Sequence, residues 1–74
     1  MKVSYDDEAD VAYLELSPEI PDGATEVAHG LILHTTATNE IVGIEILDAS
    51  ARFPLASLYR YELVQTTPVA RAQA

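Results

Sequence analysis

Four carboxylates stand within residues 6–10, directly before an apolar stretch: Asp6, Asp7, Glu8 and Asp10. Carboxylates at this density could bind a divalent cation or transfer protons. Calcium-binding loops, however, alternate their oxygen ligands around a glycine and end in a glutamate, and this run has neither the glycine nor the alternation. Aspartate also favours turns, because its side chain can accept a hydrogen bond from an amide two residues on. We therefore predict that the run turns the chain and binds no metal.

The two histidines, His29 and His34, are the other candidate metal ligands. Two histidines and a carboxylate can hold zinc. In a regular strand, a separation of five residues places the two side chains on opposite faces, and a bulge at Gly30 would be needed to bring them together. The favoured interpretation is two ordinary exposed histidines, so the sequence predicts neither a metal nor a bound cofactor.

Glu15 and Glu45 form the remaining candidate pair of acids. If strand alternation brings both to one sheet surface, the two carboxylates could share a proton or hold a cation. The alternative is that each is solvated, or paired with Lys2 or Arg60. No serine has the G-x-S-x-G context of a nucleophile, and the three glycines lie too far apart to form a phosphate loop. No catalytic residue is assigned, and the sequence leaves open whether the protein is an enzyme.

The elements that would carry these residues are strands followed by a helix. Alternating or β-branched apolar residues predict strands near residues 2–5, 10–17, 25–28, 31–35 and 41–47. Pro54 suits the first position of a helix, and an apolar stripe follows it, so a helix is predicted over residues 54–63. The expected fold is α+β, an antiparallel β-meander of four to five short strands followed by one C-terminal helix. Residues 1–63 would form one domain and residues 64–74 a tail that adds little to it.

The strand pattern also separates a core face from a second apolar face. The predicted core face carries Ala12, Leu14, Leu16, Val42, Ile44 and Ile46, and the helix residues expected to cover it are Leu55, Leu58, Tyr59 and Leu63. The opposite face still carries Val11, Tyr13 and Leu47, which one short helix cannot cover as well. Gly43 would let the Tyr13 ring lie across the backbone. We therefore predict a homo-oligomer, in the simplest case a dimer, joined through Val11, Tyr13 and Leu47.

Charge and composition restrict the partners. The 74 residues include twelve acids and four scattered bases, for a net charge of −8, and no cysteine. Binding to a phosphate backbone or an anionic membrane needs clustered lysine and arginine, so neither nucleic acid nor membrane is expected as a partner. A basic protein partner remains open. The lack of cysteine, of an apolar leader and of any long apolar run leads us to expect a cytoplasmic protein.

Two blocks of sequence resemble a known family. The blocks are Tyr5-Asp6-x-Glu8-x-Asp10-Val11-x-Tyr13-Leu14-x-Leu16 and Ile41-Val42-Gly43-Ile44-Glu45-Ile46-Leu47-Asp48-Ala49-Ser50, with Gly30-Leu31-Ile32-Leu33 between them. Together they resemble domain-of-unknown-function family 2283, small bacterial and archaeal proteins, over residues 1–58. The resemblance implies antiparallel strands followed by a helix and no established activity. The chain departs from the family pattern in its 36–40 turn and at His29 and His34, where relatives often carry acids.

Three functions of different classes remain open. The first is a homo-oligomeric interaction module of unassigned role without catalysis. The second is an acidic, antitoxin-like protein that binds a small basic toxin-like partner, because some members of the resembled family are similar to the smaller partner in such gene pairs. The third is a small metal-binding or acid/base enzyme that uses Glu15 and Glu45.

Overall fold

The computed structural model describes residues 1–67, which form one five-stranded antiparallel sheet followed by two short helical turns. The strands are β1 (Lys2–Asp6), β2 (Val11–Glu15), β3 (Gly23–Ala28), β4 (Leu31–Thr35) and β5 (Ile41–Leu47). The α-helix α1 (Ala49–Arg52) and a 3₁₀ turn (Leu55–Tyr59) follow them. The strand order across the sheet is β1-β2-β5-β4-β3.

The acidic run forms the turn between β1 and β2, as the sequence predicts. The Oδ1 atom of Asp6 accepts hydrogen bonds from the backbone amides of Glu8 and Ala9, at 3.0 and 3.3 Å. Asp10 completes the reversal with a left-handed backbone, φ 57°, a conformation that aspartate tolerates better than most residues.

The antiparallel pairing is confirmed, but the expected simple meander is wrong. β2 pairs with β5 instead of β3, and only β3, β4 and β5 follow one another as a meander. Residues 16–22 cross the ends of β5 and β4, since the Leu16 amide donates to the Val42 carbonyl and the Asp22 amide to the Thr35 carbonyl. The apolar strands β2 and β5 thereby take central positions, and β3, which reads GATEVA, takes an edge.

The predicted helix over residues 54–63 is wrong. The α-helix ends at Arg52, because Phe53 is extended (φ −162°, ψ 162°) before Pro54, and the residue before a proline disfavours helical geometry. The chain then makes the 3₁₀ turn and has no further regular structure up to Thr67. The fold is therefore mostly β, and a long covering helix is absent from residues 1–67.

The core is small. Its buried apolar residues are Ala12 (0% exposed), Val42 (2%) and Ala49 (0%), and no large side chain in the described part of the chain is fully buried. Ala12 and Val42 lie on the predicted core face, but Leu16 is exposed, as are Tyr59 and Leu63 of the stripe expected to cover that face. The division into a 1–63 domain and a 64–74 tail stays a prediction, and residues 68–74 lie outside the described residues.

Candidate functional site

The central strands bring four of the candidate residues onto one face of the sheet. Tyr13 of β2 lies opposite Glu45 of β5, and His34 of β4 lies opposite Gly43 of β5. Directly opposite residues in an antiparallel sheet share a face. Tyr13, His34, Gly43 and Glu45 therefore form one group, which we term the Tyr13 cluster.

Within this cluster the Tyr13 side chain occupies the space above Gly43. A Cβ atom added to Gly43 would lie 2.5 Å from Cζ of Tyr13 and 2.9 Å from the carbonyl oxygen of Leu14. Real Cβ atoms do not approach other heavy atoms that closely, so only glycine fits beneath the ring. The predicted contact between Tyr13 and Gly43 is thus confirmed, and this glycine is required for space.

His34 and Glu45 form the polar part of the cluster. The Nε2 atom of His34 lies 2.9 Å from Oε1 of Glu45, and their side chains are 22% and 29% exposed. The Tyr13 ring meets the imidazole edge-on, with centroids 5.3 Å apart and planes at 79°. A carboxylate that orients an imidazole is the arrangement used in acid–base catalysis, but it is equally a means of satisfying two half-buried polar groups.

The two glutamates do lie on the same face, as alternation predicts. Glu15 stands opposite Gly43, two residues along the strands from the Glu45–Tyr13 pair. The carboxylate of Glu45, however, bonds to His34. Lys2 of β1 lies opposite Glu15 in register. Whether Glu15 and Glu45 act together as an acidic pair stays a hypothesis, and the histidine partner of Glu45 is what the sequence reasoning missed.

The three predicted interface residues are neighbours. Val11 lies directly opposite Leu47, and Tyr13 is the next residue of β2 on that face. All three side chains are half-buried. They form a short apolar strip beside the polar end of the Tyr13 cluster.

The two histidines are held by different parts of the fold. His29 lies in the β3–β4 turn, where its carbonyl oxygen accepts a hydrogen bond from Arg52 Nη2, and His34 lies within β4. Across residues 1–67 there is no group of three or more histidine, cysteine, aspartate or glutamate side chains placed to hold a metal ion.

A second group, which the sequence reasoning did not find, joins the turn before β2 to α1. The carboxylate of Asp10 accepts hydrogen bonds from the Tyr5 hydroxyl (2.7 Å), the Ser50 amide (3.0 Å) and the Ser50 hydroxyl (2.7 Å). Asp48, the residue before α1, makes no side-chain hydrogen bond that caps this helix. The cap comes instead from Asp10, and we term Tyr5, Asp10 and Ser50 the Asp10 junction.

These hydrogen bonds shift the pKa values of Asp10 and Tyr5. The bonds from Ser50, followed by the bond from Tyr5, hold the pKa of the Asp10 carboxyl below its ordinary value, because they stabilise the charged form. The same bond to Asp10, with the nearby negative charge, raises the pKa of Tyr5 to about 12. The junction is therefore strongest with Asp10 ionised and Tyr5 protonated.

Two grooves lie away from both groups. An open groove of about 670 Å³ borders the 3₁₀ turn and is lined by Pro54, Ala56, Ser57, Arg60, Tyr61 and Glu62. A smaller groove lies near Met1 and Ser17. The Tyr13 cluster lines neither of these grooves. Among the described residues, no helix has the length and apolar character needed to cross a membrane.

Comparison with known proteins places the sheet in a family. The family described as "Protein of unknown function (DUF2283)" matches residues 2–50. The chain belongs to this family. No curated protein and no solved structure matches the chain.

The DUF2283 match confirms the resemblance found in the sequence. It contains all five strands, the Tyr13 cluster and the Asp10 junction, and it ends at Ser50, within α1. The expected resemblance extended to residue 58. The 3₁₀ turn and the segment after it therefore lie outside the matched region.

Proposed function

We propose that this DUF2283 chain is a homodimeric interaction module whose two copies pack sheet against sheet through the strip of Val11, Tyr13 and Leu47. The observation that carries the proposal is the burial pattern. A stable domain normally has two packed layers around one core. The described residues provide one sheet layer, two short helical turns and only small fully buried side chains.

A second copy would supply the missing layer. Because the strip is apolar and lies on the central strands β2 and β5, a two-fold axis through it brings each strip against its equivalent. Stable interfaces hide more than about 1,000 Å² in total, an area that two facing sheets readily provide. The His34–Glu45 pair would stand beside this contact with its polar atoms already satisfied by one another.

The geometry favours binding over catalysis. The His34–Glu45 pair lies on a sheet face and lines neither of the grooves described above. Ligand sites and active sites are concave and exclude water from most of the ligand surface. We therefore assign His34 and Glu45 to organising the sheet face around Tyr13.

A small basic protein is the second candidate partner. Its support is the net charge of −8, since opposite charge accelerates association. Such a complex would weaken as salt screens the charges, whereas an apolar dimer contact would persist at high salt. A neighbouring gene encoding a small basic protein would favour this second candidate.

Light scattering at micromolar concentration tests the dimer. The unmodified chain should scatter as a species of twice its 8.0 kDa mass, and Tyr13→Lys should dissociate it by placing a charge within the strip. Ile20→Lys is the matched control, because Ile20 is exposed in the β2–β3 loop away from the strip. Since Tyr13 also covers Gly43, Leu47→Lys is a second variant, and circular dichroism shows whether each variant is folded.

Two outcomes would contradict the proposed dimer or its interface. A monodisperse 8.0 kDa species in the unmodified chain contradicts the homodimer. A dimer that neither Tyr13→Lys nor Leu47→Lys disturbs would show that the copies meet through another surface.

A further inference from the structure

The segment that begins at Tyr59, the last residue of the 3₁₀ turn, has the pattern of a β-strand without a partner. Tyr59, Tyr61 and Leu63 alternate with Arg60 and Glu62, which is the two-residue period of a strand with one apolar side. Arg60 already has extended geometry, with φ −138° and ψ 135°. We term residues 59–64 the C-terminal arm.

The apolar side of the arm is uncovered. Tyr59, Tyr61 and Leu63 are 82%, 84% and 92% exposed. The radius of gyration is 14.2 Å, whereas a compact chain of this length has about 11 Å. The arm therefore leaves three large apolar side chains in water.

The sheet offers an edge that could receive such an arm. β3 is an edge strand, and all six of its residues are exposed. A sheet edge presents free backbone amides and carbonyls to another chain, and β3 is regular over residues 23–26, before its register shifts between Glu26 and Ala28. A Cβ added to Gly23 would meet nothing within 4 Å, so there is open space beside β3 for an aromatic ring, a contact that can compensate for glycine at a sheet edge.

The other edge is less suited to pairing. β1 begins with Lys2 and ends with Asp6, and charged residues on an edge strand oppose pairing with a second chain. β3 carries a single charge, Glu26, among small and apolar side chains.

We propose that the C-terminal arm of one copy pairs as a sixth strand with the β3 edge of a second copy, and that the exchange is reciprocal. Strand addition satisfies the backbone groups of both partners, and alternate side chains provide specificity. With Tyr61 and Leu63 on the same side as Thr25, alternation brings Arg60 and Glu62 to the side of Glu26. The register that places Arg60 beside Glu26 gives a pair of opposite charges. The proposal rests on the proposed self-association only in requiring a second copy, since it uses a different surface.

The area is sufficient for a stable contact. Two reciprocal arms contribute four tyrosines and two leucines, and aromatic side chains bury about 150–250 Å² each. Together they approach or exceed the roughly 1,000 Å² that a specific interface needs, even before the surface of β3 is added.

The test compares two double variants of the full chain. Tyr61→Ser with Leu63→Ser removes the apolar side of the arm, and Arg60→Ser with Glu62→Ser alters the other side at equal net charge. The first should weaken self-association at least about tenfold, because two large apolar side chains lose their burial in each arm. The second should have a much smaller effect. Sedimentation equilibrium measures the association, and amide hydrogen exchange measures whether residues 23–28 are protected.

The expected result is slow exchange of the β3 amides that face away from β4; this protection should depend on protein concentration and disappear in the first variant only. Fast exchange of these outward amides in the unmodified chain would overturn the proposal. Protection of the outward amides that is independent of concentration would also overturn it, because the arm would then pair with its own sheet. A chain ending at Leu63 keeps most of the arm and should associate like the full chain; loss of association there would place the contact beyond Leu63.

Different results would contradict the sheet-face dimer and the exchanged arm. If Tyr13→Lys dissociates the copies and the arm variants do not, the sheet-face dimer stands and the exchanged arm is wrong. If the arm variant dissociates them and neither sheet-face substitution does, the arm is the contact and the sheet-face dimer is wrong.

Discussion

Tyr13 and Gly43 are diagonal neighbours on the adjacent strands β2 and β5, and the tip of the tyrosine side chain fills the place that a side chain at position 43 would occupy. The contact closes the sheet surface at a point where glycine would otherwise expose backbone. It also orients the ring edge-on to His34. One aromatic residue thus connects the central strand pairing to the His34–Glu45 hydrogen bond.

Gly43→Ala should destabilise the protein by about 1–3 kcal/mol, the usual cost of forcing an extra methyl group into occupied space. The clash involves the Leu14 carbonyl as well as the Tyr13 ring, so rotation of the ring cannot relieve it fully. Gly23→Ala is the matched control, because the same methyl group meets nothing within 4 Å there. Urea unfolding measures both. Equal stability of the two variants would contradict the packing argument.

Asp10→Asn should lower the stability of the protein at neutral pH. The difference in stability between this variant and the unmodified chain should disappear at acidic pH. The pKa of Asp10 is depressed in the folded state, so its contribution is present above the unfolded pKa, about 3.9, and is lost as pH falls through the lower folded pKa. Asparagine tolerates the left-handed backbone at this position, which isolates the effect of the carboxylate.

The urea midpoint measured between pH 2 and pH 7 checks this pH dependence. Asp7→Asn is the control, because it removes a turn carboxylate outside the Asp10 junction. A constant difference between Asp10→Asn and the unmodified chain down to pH 2 would show that the carboxylate charge does not stabilise the junction.

The stability of the folded protein should fall at high pH, where Tyr5 loses its proton. Its pKa is raised to about 12, against about 10 for an unfolded tyrosine. Its contribution is therefore complete below pH about 10 and is lost as pH rises from there toward 12. Tyr5→Phe should lack this loss, whereas Tyr59→Phe, which alters an exposed tyrosine, should retain it. Unfolding midpoints and the ultraviolet titration of tyrosinate between pH 9 and pH 12.5 measure the effect.

The stability of the acidic turn should depend on Asp6 and not on Asp7 or Glu8. Asp6→Ala removes the acceptor of two backbone amides and should cost about 1 kcal/mol. Asp6→Asn keeps the Oδ1 acceptor and should cost less. Asp7→Asn combined with Glu8→Gln should change stability by less than about 0.5 kcal/mol, because exposed charges without special contacts contribute little. Loss of a bound ion in that double variant would overturn the turn interpretation.

The sequence alone determined the features that depend on local pattern. The turn at residues 6–10 follows from the way aspartate bonds to nearby amides, which needs no distant residue. Strand alternation placed Tyr13 on the face of Val11, and placed Glu45 on that of Gly43 and Leu47. Apolar, β-branched residues also predicted strands near residues 10–17 and 41–47, where β2 and β5 lie.

Only the tertiary structure decided which strands are neighbours. Alternation assigns a side chain to a face but does not specify the partner strand, so the β2–β5 pairing and the contact of His34 with Glu45 could not be read from it. Ser50 bonds to Asp10, which lies 40 residues earlier in the chain, and no local rule links two such positions. The prediction of a helix over residues 54–63 was wrong for a related reason. The apolar stripe after Pro54 has helical spacing, but so short a helix needs a packed face to be stable. Here Tyr59 and Leu63 remain exposed.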